Sequence, residues 1–122
     1  MSKAQVEAEL DRAVALDIVR VTEGTAVAAA LWRGRGNEAA ADEAAAQAMY
    51  RELERLAIEG FVVVGMGEEN ETPLLYTGET VGSGGATGLK VDLAVDPVEG
   101  STLCAKALPN ALSVLEIGRA HV

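Results

Sequence analysis

Apolar positions recur about every 3.6 residues through the first part of the chain: Val6, Leu10, Val14, Ile18 and Val21. They continue as Ala26, Val27, Ala30, Leu31 and Trp32. This spacing predicts a helix, either one bent helix or two, because Gly24 interrupts it. Gly34-Arg35-Gly36-Asn37 is a stop signal. A further helix is expected from about Ala39 to Ile58, with Ala45, Ala48, Met49, Leu53 and Leu56 on its apolar face and Gly60 as its C-cap. Then the pattern changes. Phe61-Val62-Val63-Val64 is short, wholly apolar and rich in β-branched residues, which predicts a buried strand. Leu74-Leu75-Tyr76 predicts another, and Val91 to Asp96 alternates as a strand does. Gly67 to Pro73 reads as an acidic loop, and Gly82 to Gly88 as a hairpin turn. A helix opening at Ser101 and a strand from Ala111 to Leu115 complete the order. Helices first and strands after them predict an α/β fold in layers, built on a mixed sheet.

Composition narrows the function. The chain has 122 residues, the size of one small domain, and 49% of them are apolar, enough for a core. With only one Trp, two Tyr and one Phe, that core must consist of Ala, Val and Leu. The net charge of −9 repels phosphate backbones and argues against nucleic-acid binding. It suits a protein that holds cations with carboxylates. One cysteine, Cys104, excludes an internal disulfide and fits a reducing compartment. No apolar run approaches the ~20 residues of a membrane span, and the N-terminus has no signal-peptide pattern. A bacterial-type cytoplasmic location is expected. Met49 and Cys104 are read as core residues, and Arg33 and Arg35 as exposed loop arginines.

The segment with most chemistry is Asp96-Pro97-Val98-Glu99-Gly100-Ser101. Its two carboxylates can curl round one divalent ion, with the Val98 carbonyl as a third oxygen. The amides of Gly100, Ser101 and Thr102 would face an anion at a helix start. The plainer reading is a strand–turn–helix with Ser101 as an N-cap.

That segment resembles the D-P-(I/L/V)-(D/E)-G-(S/T) motif of the lithium-sensitive sugar-phosphatase superfamily. Arg20 to Glu23, Trp32 to Gly36, Ala41-Asp42, Pro73 to Glu79 and Pro109 to Leu112 look more narrowly like class II bacterial fructose-1,6-bisphosphatases. The resemblance runs from about Ala15 to Leu115. It implies a Mg²⁺ or Mn²⁺ enzyme that removes the 1-phosphate of fructose 1,6-bisphosphate in gluconeogenesis. The family's metal ligands map to Asp42, Asp96, Glu99 and position 66, and its water-orienting hydroxyl maps to Ser101. The family's catalytic chains are much longer, so the resemblance implies an N-terminal, inactive piece of an enzyme that is a homo-oligomer at full length. Two alternatives stay open. One is another superfamily phosphatase, of inositol-phosphate, nucleotide or sedoheptulose-bisphosphate type. The other is a non-catalytic module that binds cations or a partner chain.

Two places depart from the family pattern. Position 66 is Met66 in Gly65-Met66-Gly67-Glu68, where the family has glutamate. A thioether is a poor ligand for Mg²⁺. Glu68 substituting as ligand and catalytic carboxylate, weakened metal binding, or a sequence error each account for it. The second departure is the tail. Glu116 to Val122 can be back-translated as (G)AG ATC GGA AGA GCA CAC GTC, which from its second base matches a common short-read sequencing adapter. Residues 1–115 are therefore expected to be the native part, and 116–122 a non-native tail. His121, the only histidine, would then lie outside the enzyme.

Overall fold

A computed structural model describes residues 2–120, apart from the side chains of Val6, Glu7, Glu9 and Leu10. His121 and Val122 lie outside the described residues. A single helix, α1 (Lys3–Ala30), spans the first periodic stretch without a break at Gly24. Ser2 and Gln5 start it with a reciprocal capping box, each side chain bonding the other's backbone N–H. Gly24 is tolerated because it faces the next helix, where a Cβ would sit 3.4 Å from Glu52 Cγ. That helix, α2 (Glu38–Glu54), begins at Asn37, whose side chain accepts from the Ala40 N–H.

The end of α2 differs from the expectation. The helix stops at Glu54, and Ile58 opens the strand β1 (Ile58–Val64). Gly60 is therefore no C-cap but an interior strand residue. A Cβ there would lie 2.9 Å from Leu93 Cδ1, so glycine is needed for close packing.

Three further strands follow: β2 (Thr80–Val81), β3 (Leu89–Glu99) and β4 (Leu112–Arg119). The sheet order is β2-β1-β3-β4. The β1–β3 pair is parallel and the two outer pairs are antiparallel, so the sheet is mixed as expected. Ile58 and Val62 of β1 and Val91, Leu93 and Val95 of β3 point to one face. They pack with Ile18, Val21, Met49 and Leu53 of the helices to form the main core.

Several expectations change here. Phe61, Val63 and Val64 are exposed, so the apolar run is buried on one face only, at Val62. Leu74 to Tyr76 is not a strand. Leu75 takes a left-handed φ of 56° and is fully buried, which breaks any extended run. Gly82 to Gly88 is not a hairpin turn, because β2 and β3 lie on opposite sides of β1. The segment passes the start of β1 instead, with Ser83 N–H bonded to Leu56 O and Gly84 N–H to Ile58 O. A Cβ on Gly82 would lie 2.3 Å from Ile58 O, so backbone proximity demands glycine. The final strand is longer than expected and runs through Glu116–Arg119, with Val91 opposite Arg119. Met49 and Cys104 are buried as expected. No helix among the described residues is long and apolar enough to cross a membrane.

Candidate functional site

The carboxyl ends of parallel strands are where open α/β sheets leave a crevice. Here β1 ends at Val64, opposite Ala94, while β3 runs on to Glu99, and both strands are irregular in this region. The register shifts between Val62 and Val64 in one strand and between Asp96 and Glu99 in the other. Bulges of this kind re-aim side chains. The strand does not end at Asp96, as the sequence suggested, but continues through Pro97 to Glu99. Pro97 and Val98 are consecutively buried, whereas Asp96 and Glu99 face outward. Gly100 then turns with φ 91°, and α3 (Ser101–Ala105) starts at Ser101.

A second element is brought in by the loop between α1 and α2. Gly34 N–H bonds Cys104 O and Gly36 N–H bonds Ala105 O, which ties this loop to the end of α3. Ala41 and Ala45 of α2 are buried with Ala29, Val98 and Cys104, packed beneath Trp32. Alanine spacing thus lets α2 approach closely and turns Asp42 toward Ser101. The Ser101 hydroxyl donates to Asp42 Oδ1 across 59 positions of sequence.

A cleft of about 370 Å³ results, lined by Asp42, Val64, Gly65, Met66, Val95, Asp96, Val98 and Ser101. Asp96 is exposed overall but its carboxyl loses part of its hydration at the cleft, which raises it above the usual carboxylate range, and the negative charges of Glu99 and Asp42 raise it further. Asp96 therefore stands among two other carboxylates. Glu99 acts on this group by charge without lining the cleft.

The other candidate residues fall outside the lining. Glu68 sits at the start of an exposed turn, where its carbonyl accepts from Glu71 and Thr72. Gly100 is the turn residue before α3, and Thr102 is exposed on it. Among the described residues, no group of three or more His, Cys, Asp or Glu is placed to hold a metal. Two carboxylates and one hydroxyl do converge, and they are hard oxygen donors. Mg²⁺ is commonly held by one or two carboxylates, with water and phosphate oxygens completing the shell. The donor set fits such an ion in part, and the Met66 thioether beside it does not.

Gly65 is a cleft residue the sequence reading passed over. Its Cβ would lie 2.3 Å from Leu75 O, because Met66 N–H bonds that same carbonyl at 2.8 Å. Glu79 is another omission. Its Oε1 accepts the Leu75 N–H at 2.7 Å and holds the loop that carries Met66. A glycine pair flanking position 66, followed by an apolar-Tyr-Thr-Gly-Glu run, was the available signal.

The fold and cleft define a class: an α/β protein with an acidic, oxygen-donor crevice at the ends of two parallel strands. Residues 12–121 match the family model described as bacterial fructose-1,6-bisphosphatase, glpX-encoded. The chain belongs to that family. It is 46% identical over 109 residues to the Haemophilus influenzae protein named fructose-1,6-bisphosphatase class 2. It is 47% identical over 107 residues to the Escherichia coli K12 protein named fructose-1,6-bisphosphatase 1 class 2. These matches cover 89% and 88% of this chain but only 32% and 31% of the two relatives. The chain thus spans about a third of the length of those relatives.

Proposed function

We propose that the chain is the N-terminal part of a cytoplasmic phosphatase that hydrolyses the 1-phosphate of fructose 1,6-bisphosphate, a step of gluconeogenesis, and that it is inactive alone. The observation that carries this reading is the convergence of Asp42, Asp96 and Ser101 on one cleft. Asp42 and Asp96, with Glu99 beside them, would hold Mg²⁺ or Mn²⁺. Such an ion neutralises phosphate charge and lowers the pKa of a bound water. The Ser101 hydroxyl donates to Asp42, which leaves its oxygen free to accept from water and orient it. The amides of Gly100, Ser101 and Thr102 would meet the phosphate at the turn into α3. Glu68, two residues beyond Met66, is the nearest carboxylate in sequence that can replace the expected ligand.

The test uses the parent gene product and a panel of sugar, inositol and nucleotide phosphates. Mg²⁺- or Mn²⁺-dependent phosphate release should be fastest from fructose 1,6-bisphosphate. Preference for an inositol phosphate would move the assignment to another superfamily member. Turnover by the 122-residue chain alone would refute its inactivity.

Met66 in the cleft lining favours a second reading, a cation- or partner-binding module without catalysis. Met66→Glu separates the two. In the parent protein it should tighten Mn²⁺ binding measured by calorimetric titration, and an unchanged isotherm favours the second reading.

A non-native origin for residues 116–122 rests on the codon match alone. The segment pairs in β4 as far as Arg119, and the family match reaches residue 121. Other codons in the parent DNA would remove the proposal.

A further inference from the structure

Behind the acidic cleft lies another cavity, of about 230 Å³, that the proposed reaction does not use. Ala26, Ala29, Ala30 and Arg33 form one wall. They stand at i, i+3, i+4 and i+7, so they share one helical face. Their methyl groups leave room that larger side chains would fill. Val98 and Cys104, both buried, close the cavity from within. Leu108 and Leu112 line it from the segment after α3 and keep 49% and 59% of their surface exposed. Among the described residues, Arg33 is the one charged group in this lining. It is exposed, and no ion pair or side-chain hydrogen bond among the described residues engages it.

Size and charge together define the occupant. An apolar cavity of about 150 Å³ accepts benzene. By that measure this one takes an apolar ring with one polar group attached. A guanidinium presents a planar fork of donors that matches a carboxylate. Asn110 and Ser113 add further polar groups to the lining. A phosphate ester or a nucleotide would press several polar atoms against alanine and leucine without partners, at a desolvation cost.

We propose that this cavity binds a small monocarboxylate with an apolar body. The carboxylate pairs with Arg33, and the body packs between the alanines of α1, Val98 and the two leucines. Val98 also lines the acidic cleft, so the two sites share a side chain. Because Val98 lies between Asp96 and Glu99 in sequence, occupancy acts on the segment that carries both carboxylates. The site itself is independent of the phosphatase reading, since it needs only the cavity and Arg33.

Trp32 is the single tryptophan and packs against Ala29, Val98 and Cys104, so its fluorescence reports occupancy. Cyclohexanecarboxylate should change that emission saturably. Cyclohexylmethanol, with the same ring and no charge, should bind about tenfold more weakly, for want of a charge-assisted hydrogen bond. Cyclohexylmethylamine should bind more weakly still. Arg33→Gln should lower affinity for the carboxylate about tenfold and leave that for the alcohol unchanged. Ala26→Leu should abolish binding of both by filling the cavity. Both substituted positions are exposed, so far-UV circular dichroism should not change. In amide ¹H–¹⁵N spectra, the carboxylate should shift Ala29, Val98 and Cys104 and leave Val81, on the far edge of the sheet, in place. The parent protein should bind the carboxylate as the chain does. An emission change that never saturates, equal affinity for acid and alcohol, or an unaffected Arg33→Gln variant would each overturn the proposal. Binding to the chain but not to the parent would overturn it as well, because the parent's further residues would then fill the cavity.

Discussion

The inner face of the sheet and the carboxyl end of the same strands obey opposite rules. On the inner face, Ile58, Val62, Val91, Leu93 and Val95 pack with apolar side chains of α1 and α2, and burying that surface lowers the free energy. A few residues further along, Asp96 meets the charges of Glu99 and Asp42, and each contact raises it. The same sheet therefore carries an apolar core on one face and, at one strand end, a carboxylate beside two others. Sites of this kind are held in place by their surroundings and relieved by a ligand of opposite charge. The helices and the sheet register position the cleft, and the cleft returns little stability.

The contrast is broken most directly at its stable end. Leu93 is fully buried at the centre of the sheet. Leu93→Ala should cost about 2–5 kcal/mol in urea unfolding, as transfer and cavity terms add. A loss under about 1 kcal/mol would mean that the sheet's inner face is not the main core.

Next in size is the backbone that frames the cleft. Gly65→Ala drives a Cβ toward Leu75 O. It should cost about 1–3 kcal/mol as an overpacking change. Hydrogen exchange at the Met66 amide, normally bonded to Leu75 O, should accelerate more than exchange in the core strands. Equal acceleration everywhere would show that the cleft loop and the core open as one unit.

Much of this arrangement was readable from residue order. The period of α1 and the apolar run of β1 survive because each depends on neighbours close in sequence. What failed depended on distant backbone. Gly60 and Gly82 look like local punctuation, yet both are glycine because another strand or carbonyl occupies the space of a Cβ. Leu75 looks like a strand residue, yet it sits in a left-handed conformation with its carbonyl accepting the Met66 N–H from the far side of the loop. In the site, family motifs pointed to Asp42, Asp96 and Ser101, which do meet. No local pattern pairs Asp42 with Ser101, because the hydrogen bond joins residues 59 positions apart. The displacement of Glu68 and Glu99 from the lining was equally invisible, since it follows from a turn and a bulge.

Ser101→Ala tests whether the cleft contributes any stability of its own. It removes the hydroxyl that donates to Asp42 and leaves that carboxylate among its neighbours unrelieved. The expected cost is about 1 kcal/mol, the net value of one half-buried hydrogen bond. Ser101→Thr keeps the donor and should restore most of it. Equal destabilisation by alanine and threonine would assign the effect to packing instead of the hydrogen bond.

The smallest expected effect sharpens the idea that carboxylates near this loop cost stability when charged. Burial raises the Glu79 carboxyl above its ordinary range; the bond from the Leu75 amide opposes this, and the Glu54 charge adds to the rise. The folded state thus binds this proton more tightly than the unfolded chain does. Below the ordinary glutamate range both states are protonated, and the contribution is fully present. As pH rises from there through the raised folded value, the unfolded chain releases its proton first and stability is lost. The loss should not exceed about 0.5 kcal/mol, because Glu79 is partly exposed and solvent screens it. Glu79→Gln keeps an oxygen for the Leu75 amide and removes the titration. The variant's thermal midpoint should therefore fall less than the parent's between about pH 4 and 7. If the two profiles run parallel, Glu79 carries no net penalty, and the frustration of this end of the sheet is confined to Asp96.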